Sequence, residues 1–163
     1  MYVRLNLCIE VEMLKKILLW ASVICLSVTI FIFSAKTGTE SSDISIKITE
    51  KTVNVAEKTV EIEEENQNDT FQAIHKVIRK GAHFLEFAVL AVLVFFLVKS
   101  YNLPFKMCIL IALGYCLLFA ISDEIHQLFV EGRRGMVLDV VLDFCGSFVG
   151  VLICYLPLKF RKK

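Results

Sequence analysis

Four long apolar stretches carry few of this chain's charged residues. They run roughly Leu14 to Ser34, His83 to Val98, Phe105 to Ser122 and Met136 to Leu158. A helix rises by about 1.5 Å per residue, so about 20 mostly apolar residues cross the hydrocarbon core of a bilayer. Hydrophobic residues make up 56% of the 163 residues, which is more than a soluble domain of this length buries. The pattern predicts an all-α polytopic membrane protein with four transmembrane helices, and it excludes a disordered chain, a nucleic-acid binder and an ordinary soluble enzyme.

Basic residues next to these stretches predict the orientation of the chain. They cluster at Lys15, Lys16, Lys99, Lys106 and the tail Lys159–Lys163. Lysine and arginine close to the membrane favour the cytoplasmic side, although Arg79 and Lys80 fall on the other side. We therefore expect a multi-pass protein of the cell membrane with both termini in the cytoplasm. In this interpretation residues 1–13 form a cytoplasmic segment, residues 14–158 the membrane domain, and residues 159–163 a basic cytoplasmic tail.

The interval from about residue 35 to 82 is predicted to be a partly helical extracytoplasmic loop. Apolar residues recur at helical spacing in its first half, at Ile44, Ile48 and Val55, which indicates a weak amphipathic helix. A second helix is expected to begin at Asp69 or Thr70, since either side chain can cap it, and to lead into the second apolar stretch. The acidic stretch of residues 57–69 is interpreted as a solvated linker without assigned function.

Ionisable and polar side chains gather at the predicted outer ends of three segments. They are Arg79, Lys80, His83 and Glu86 on the second segment, Ser122, Asp123, Glu124, His126 and Gln127 at the end of the third, Arg133 in the next loop, and Asp139 and Asp143 on the fourth. Charged groups inside a bilayer are costly, so they are expected to face each other, water or a ligand.

Two interpretations of these clusters remain open. In the first, the groups form ion pairs and hydrogen bonds that fix a small bundle, for example Arg79 or Arg133 against Asp139. In the second, they line a polar pocket at the outer leaflet. The number of groups exceeds what one bundle-fixing pair needs, which favours the pocket. The pocket hypothesis predicts that His126 lies within direct or one-water reach of a carboxylate from another segment.

Two glycines continue the polar face of the fourth segment. Asp139, Asp143, Gly146 and Gly150 share one helical face. Small residues four apart allow another helix to approach closely. We expect Val151 to lie off this face.

The polar motifs resemble those of a known family. They are Phe33-Ser34-Ala35, K-x-x-H-F-x-E from Lys80 to Glu86, S-D-E-x-H-Q-x-F-x-x-G-R from Ser122 to Arg133, and D-x-x-x-D-x-x-G-x-x-x-G from Asp139 to Gly150. In order and spacing they resemble the VanZ-like family, small bacterial membrane proteins named for a teicoplanin-resistance accessory protein. The resemblance implies a role in the cell envelope and lowered susceptibility to lipoglycopeptides such as teicoplanin.

Three functions fit these residues. The first is an accessory protein that binds a lipid headgroup, a wall precursor or a lipoglycopeptide, with Arg79, Lys80 and Arg133 contacting its anionic groups. The second is a membrane-embedded hydrolase or transferase acting on a lipid-linked phosphate. Its candidate catalytic residues are His83, Glu86, Asp123, Glu124, His126 and Asp139. The third is a proton-coupled transporter, which four spans without broken helices disfavour.

The expected partners and cofactors follow from the same residues. We expect membrane lipids as partners, with a wall precursor or lipoglycopeptide as the ligand, and no nucleic acid. The spacing of histidines and carboxylates is not a strong metal signature, so no metal or other cofactor is predicted.

Overall fold

The computed structural model describes the backbone of residues 2–35, 67–130 and 135–160, and the side chains of residues 7, 9–35, 77–130 and 135–156. Four helices occur in these ranges: α1 (Tyr2–Ala35), α2 (Gln67–Lys99), α3 (Phe105–Gln127) and α4 (Val137–Phe160). The described residues contain no strand. The prediction of an all-α fold is confirmed.

Each helix contains a stretch long and apolar enough to cross a membrane. These stretches are Ile9–Ala35, Val77–Lys99, Phe105–Gln127 and Val137–Leu156. The prediction of four spans in a multi-pass membrane protein is confirmed. The second span begins earlier than His83, because Arg79 and Lys80 are part of a continuous helix. Residues 67–82 are helical, which confirms the helix expected to begin at Asp69 or Thr70 and to lead into this span. The proposed amphipathic helix at Ile44–Val55 lies outside the described residues.

Helix α2 occupies the centre of the bundle. It packs against α1, α3 and α4, and its contact with α4 is the most extensive in the structure. Its core residues Phe87, Leu90, Ala91 and Phe95 are fully buried. Helices α2, α3 and α4 all contact one another. Helix α1 contacts α2 and α3 and covers one side of this three-helix group.

Small side chains let α3 approach its neighbours. Four buried residues follow each other at intervals of four along α3, at Cys108, Ala112, Cys116 and Ala120. They form a stripe on one side of the helix. The cysteines in this stripe are free thiols and act as small apolar residues in the core.

The glycines of α4 are in direct contact with α2. A Cβ atom added to Gly146 would overlap the backbone carbonyl of Phe84, and one added to Gly150 would overlap that of Ala88. The predicted close approach is confirmed. Val151, expected to lie off this face, is only 4% exposed. Because α4 also packs against α3, the buried sector of the helix is wider than its glycine stripe.

Aromatic and basic residues mark the end of the bundle at the α2–α3 turn. The indole nitrogen of Trp20 donates to the hydroxyl of Tyr101 at 3.0 Å. The Lys16 ammonium lies 4.9 Å from the centroid of the Tyr101 ring. Asn102 has a φ of 57° in this turn, a left-handed conformation that asparagine tolerates well. Tryptophan, tyrosine and lysine together are typical of a membrane–water interface.

Candidate ligand-binding site

A polar cavity lies at the other end of the bundle. Its wall comes from α2, α3 and α4 and consists of Arg79, Lys80, His83, Glu124, Gln127, Asp139, Leu142 and Asp143. Every polar residue of this wall is among the predicted site residues. The cavity has an empty volume of about 270 Å³, which includes its open mouth.

An ion pair connects α2 to α4 beside the cavity. The ammonium of Lys80 donates to Oδ1 of Asp139. The Lys80 side chain is 40% exposed and that of Asp139 is 16% exposed. An ion pair between helices was one of the two interpretations of the polar residues, but with Arg79 or Arg133 as the suggested partner of Asp139. Arg79 lines the cavity instead, and Arg133 lies outside the described residues.

A buried hydrogen bond connects α1 to α3. The hydroxyl of Ser34 donates to Oδ2 of Asp123 at 2.6 Å, and both residues are fully buried. The Gln127 amide donates to the same carboxylate oxygen at 3.0 Å. Asp123 does not itself line the cavity, and it acts as the anchor for α1 and for the Gln127 side chain.

Glu124 ties the start of α4 to α3. Its Oε1 accepts from the Gln127 amide at 3.1 Å. Its Oε2 accepts from the backbone N–H of Met136 at 2.8 Å, and α4 begins at the next residue. Gln127 thus bridges two carboxylates one helical turn back, and the glutamate holds the chain where it enters α4.

A histidine and a carboxylate lie one turn apart on α2. The Nδ1 atom of His83 is 3.7 Å from Oε2 of Glu86. His83 lines the cavity, whereas Glu86 lies outside its wall. The two side chains are 16% and 29% exposed, so the imidazole is partly buried between the carboxylate and the cavity.

Asp143 presents a buried acceptor to the cavity. The residue is 2% exposed, and within the described part of the chain its Oδ1 atom has no hydrogen-bond partner. Its backbone carbonyl accepts from the hydroxyl of Ser147 at 3.0 Å. A buried acceptor without a donor costs about 1–3 kcal/mol. A ligand that donates a hydrogen bond to Oδ1 of Asp143 would remove this cost.

His126 and Ser122 lie outside the cavity wall, contrary to their expected convergence with the other site residues. The His126 ring stacks on Phe31 of α1, with centroids 4.1 Å apart and an interplanar angle of 25°. Among the described residues its buried Nε2 atom has no hydrogen-bond partner, so the expected direct bond to a carboxylate of another helix is not formed. Ser122 is exposed. The reason is helical geometry, because positions 122 and 126 share a face about 100° away from that of positions 123 and 127.

Two residues of this region were missing from the predicted site. Leu142 adds an apolar contact to the cavity wall. Ser34 belongs to a buried stripe of α1 that also contains Val23, Ser27 and Ile30. The i, i+4, i+7, i+11 spacing of this stripe is visible in the sequence and ends on Ser34. In the described ranges no three histidine, cysteine or acidic side chains are placed to hold a metal ion.

Comparison with known proteins identifies the family of the chain. A family model described as VanZ/LLP1 matches residues 19–158. No curated protein and no solved structure matches the chain. The family match includes residues 19–35 of the first span, all of the other three spans and every described residue of the cavity wall. It agrees with the resemblance carried by the polar motifs. This chain belongs to the VanZ/LLP1 family.

Proposed function

We propose that this VanZ-like protein acts in the cell envelope by binding the polar headgroup of an amphiphile in its cavity, and that it thereby lowers susceptibility to teicoplanin. One observation carries the proposal: charged side chains from α2, α3 and α4 line a single cavity at one end of an otherwise apolar bundle. Placing ionisable side chains within the membrane costs free energy. Two contacts join helices here, from Lys80 of α2 to Asp139 of α4 and from Ser34 of α1 to Asp123 of α3, and the wall has further charged groups, among them Arg79 and Asp143.

The orientation of the bundle supports an outward-facing cavity. Lys15, Lys16, Lys99 and Lys106 lie toward the end that contains Trp20 and Tyr101, which is opposite to the cavity. Under the positive-inside rule this basic end is cytoplasmic. Both termini are then in the cytoplasm of a cell-membrane protein, and the cavity opens at the outer leaflet.

The charges of the cavity wall support a headgroup as the bound part of the ligand. Arg79 and Lys80 provide cationic groups that bind phosphate or carboxylate. A lipid, a lipid-linked wall precursor and a lipoglycopeptide all combine a polar group with an acyl or prenyl chain. The chain of such a ligand stays in the bilayer while its polar end enters the cavity.

Drug susceptibility tests the proposal. Expression of the wild-type chain in a susceptible bacterial host is expected to raise the inhibitory concentration of teicoplanin. Arg79→Ala is expected to remove this effect at unchanged membrane abundance, because it takes a cationic group out of the cavity wall. The control Glu10→Gln changes an exposed residue of α1 and is expected to behave as wild type. No effect of the wild-type chain on teicoplanin susceptibility would contradict the resistance part of the proposal.

A second function is favoured by the contact between His83 and Glu86. An imidazole oriented by a carboxylate and facing a cavity with an arginine has the composition of a site for phosphoryl transfer or hydrolysis. The substrate would be a lipid-linked phosphate. Release of phosphate from such a lipid by the purified protein, lost in His83→Gln and retained in Glu10→Gln, would establish this function. Binding without turnover would exclude it for that substrate.

A further inference from the structure

Counted by formal charge with His83 neutral, the cavity wall has more acidic than basic side chains. Its charged members are Arg79, Lys80, Glu124, Asp139 and Asp143. The ion pair between Lys80 and Asp139 is neutral as a unit. The remaining charges are one guanidinium and two carboxylates, and Asp123 lies buried next to the wall. A ligand with a positive group offsets this excess.

Among the carboxylates of the described wall, Asp143 is the one with a buried oxygen atom that lacks a hydrogen-bond donor. Asp139 receives Lys80. The two oxygens of Glu124 receive the Gln127 amide and the Met136 N–H. In the described part of the chain, Oδ1 of Asp143 receives nothing, and Asp143 is 2% exposed.

The positions of the charges define an order from the floor to the mouth of the cavity. Asp143 is the more buried group and follows Asp139 by one turn on α4. Arg79 is partly exposed and precedes Lys80 on α2. The acceptor of Asp143 is therefore more deeply buried than the basic groups of Arg79 and Lys80, which are both partly exposed.

We propose that the ligand of this cavity is a zwitterion, with a primary ammonium that donates to Asp143 and a neighbouring phosphate or carboxylate that contacts Arg79. This inference rests on the proposed function and specifies its ligand class. A primary ammonium brings three N–H donors to an acceptor that lacks one. A quaternary ammonium is larger than a primary ammonium and has no N–H, so it cannot donate a hydrogen bond to Asp143. A metal ion fits less well, because no three suitable ligands converge in the described residues.

Short-chain lipids test this inference on the full-length protein. The purified chain in a detergent without aminolipid is titrated by calorimetry with dihexanoyl phosphoethanolamine, dihexanoyl phosphocholine and dihexanoyl phosphoglycerol. We expect the phosphoethanolamine lipid to bind at least about tenfold more tightly than the other two, as one charge-assisted hydrogen bond allows. Free phosphoethanolamine distinguishes the source, since equal affinity indicates a soluble zwitterion and weaker binding indicates a lipid.

Each other outcome has a definite meaning. Equal affinity for the three lipids overturns the zwitterion and leaves headgroup binding intact. Absence of binding by all three overturns headgroup binding as well. Displacement of the phosphoethanolamine lipid by millimolar Mg²⁺ or Na⁺ assigns the acidic position to an inorganic cation and also overturns the inference.

The variant Asp143→Asn tests whether Asp143 binds the ammonium of the ligand. Asp143→Asn keeps the shape of the side chain and removes its charge, and it is expected to lower affinity for the phosphoethanolamine lipid by about tenfold while leaving the phosphoglycerol lipid unchanged. Glu10→Gln is the control. An unchanged preference in folded Asp143→Asn overturns the role of Asp143. The ligand series on the wild-type chain remains decisive if this variant does not fold.

Discussion

Ser34 is the residue through which α1 is held against the polar end of the bundle. Its hydroxyl donates to a fully buried carboxylate oxygen of Asp123. Ser34→Ala removes that donor, so we expect the free energy of unfolding to fall by about 1–3 kcal/mol. The control is Ser22→Ala, since the hydroxyl of Ser22 donates to the carbonyl of Leu18 within α1. Thermal unfolding in detergent measures both, and equal stability of the two variants would contradict the anchoring role.

The ion pair between Lys80 and Asp139 is a second contact that can be measured at the scale of single residues. Its lysine is 40% exposed, so screening reduces its contribution. A double-mutant cycle with Lys80→Met and Asp139→Asn is expected to give a coupling energy of about 1 kcal/mol. A coupling energy near zero would mean that the pair contributes little to the packing of α2 against α4.

At the scale of helices, the contact of α2 with α4 depends on two glycines. Gly146→Ala introduces a Cβ where the carbonyl of Phe84 lies, so the helices must separate at a cost of about 1–3 kcal/mol. Gly114→Ala is a matched control, because a Cβ there meets nothing within 4 Å and alanine favours the helix by about 1 kcal/mol. Unfolding of the two variants in detergent is the measurement. Equal destabilisation would show that close packing is not the reason for Gly146.

Residue spacing along each helix predicts part of the candidate site. Periodicity correctly grouped Asp139 and Asp143 with the glycines of α4, because residues three or four apart share a face of any helix. It misplaced His126, since spacing defines a face of α3 but does not say which helix covers that face. The position of Phe31 of α1 beside His126 follows from tertiary packing. The start of α2 at Gln67 lies two residues before the predicted cap at Asp69. The span within it begins at Val77 rather than His83, because Arg79 and Lys80 interrupt the apolar stretch although they continue the helix.

For the whole molecule, the apolar pattern alone defined four spans, because a bilayer demands long apolar helices. The orientation of these spans is a separate prediction from the distribution of lysines. Phe129 is 83% exposed and follows α3 at the cavity end, whereas Lys106 is exposed near the α2–α3 turn. Gly135 is less suited to labelling, since a Cβ there would lie 2.7 Å from the backbone oxygen of Glu124.

Cysteine labelling in intact cells tests this orientation in a background with all six native cysteines replaced by alanine. Phe129→Cys is expected to react with a membrane-impermeant maleimide from outside, because the positive-inside rule places the cavity end there. Lys106→Cys is expected to react only after the cells are opened. The reverse pattern would place both termini outside and the cavity in the cytoplasmic leaflet. Headgroup binding would then concern an inner-leaflet lipid, and direct interception of an extracellular glycopeptide would be excluded.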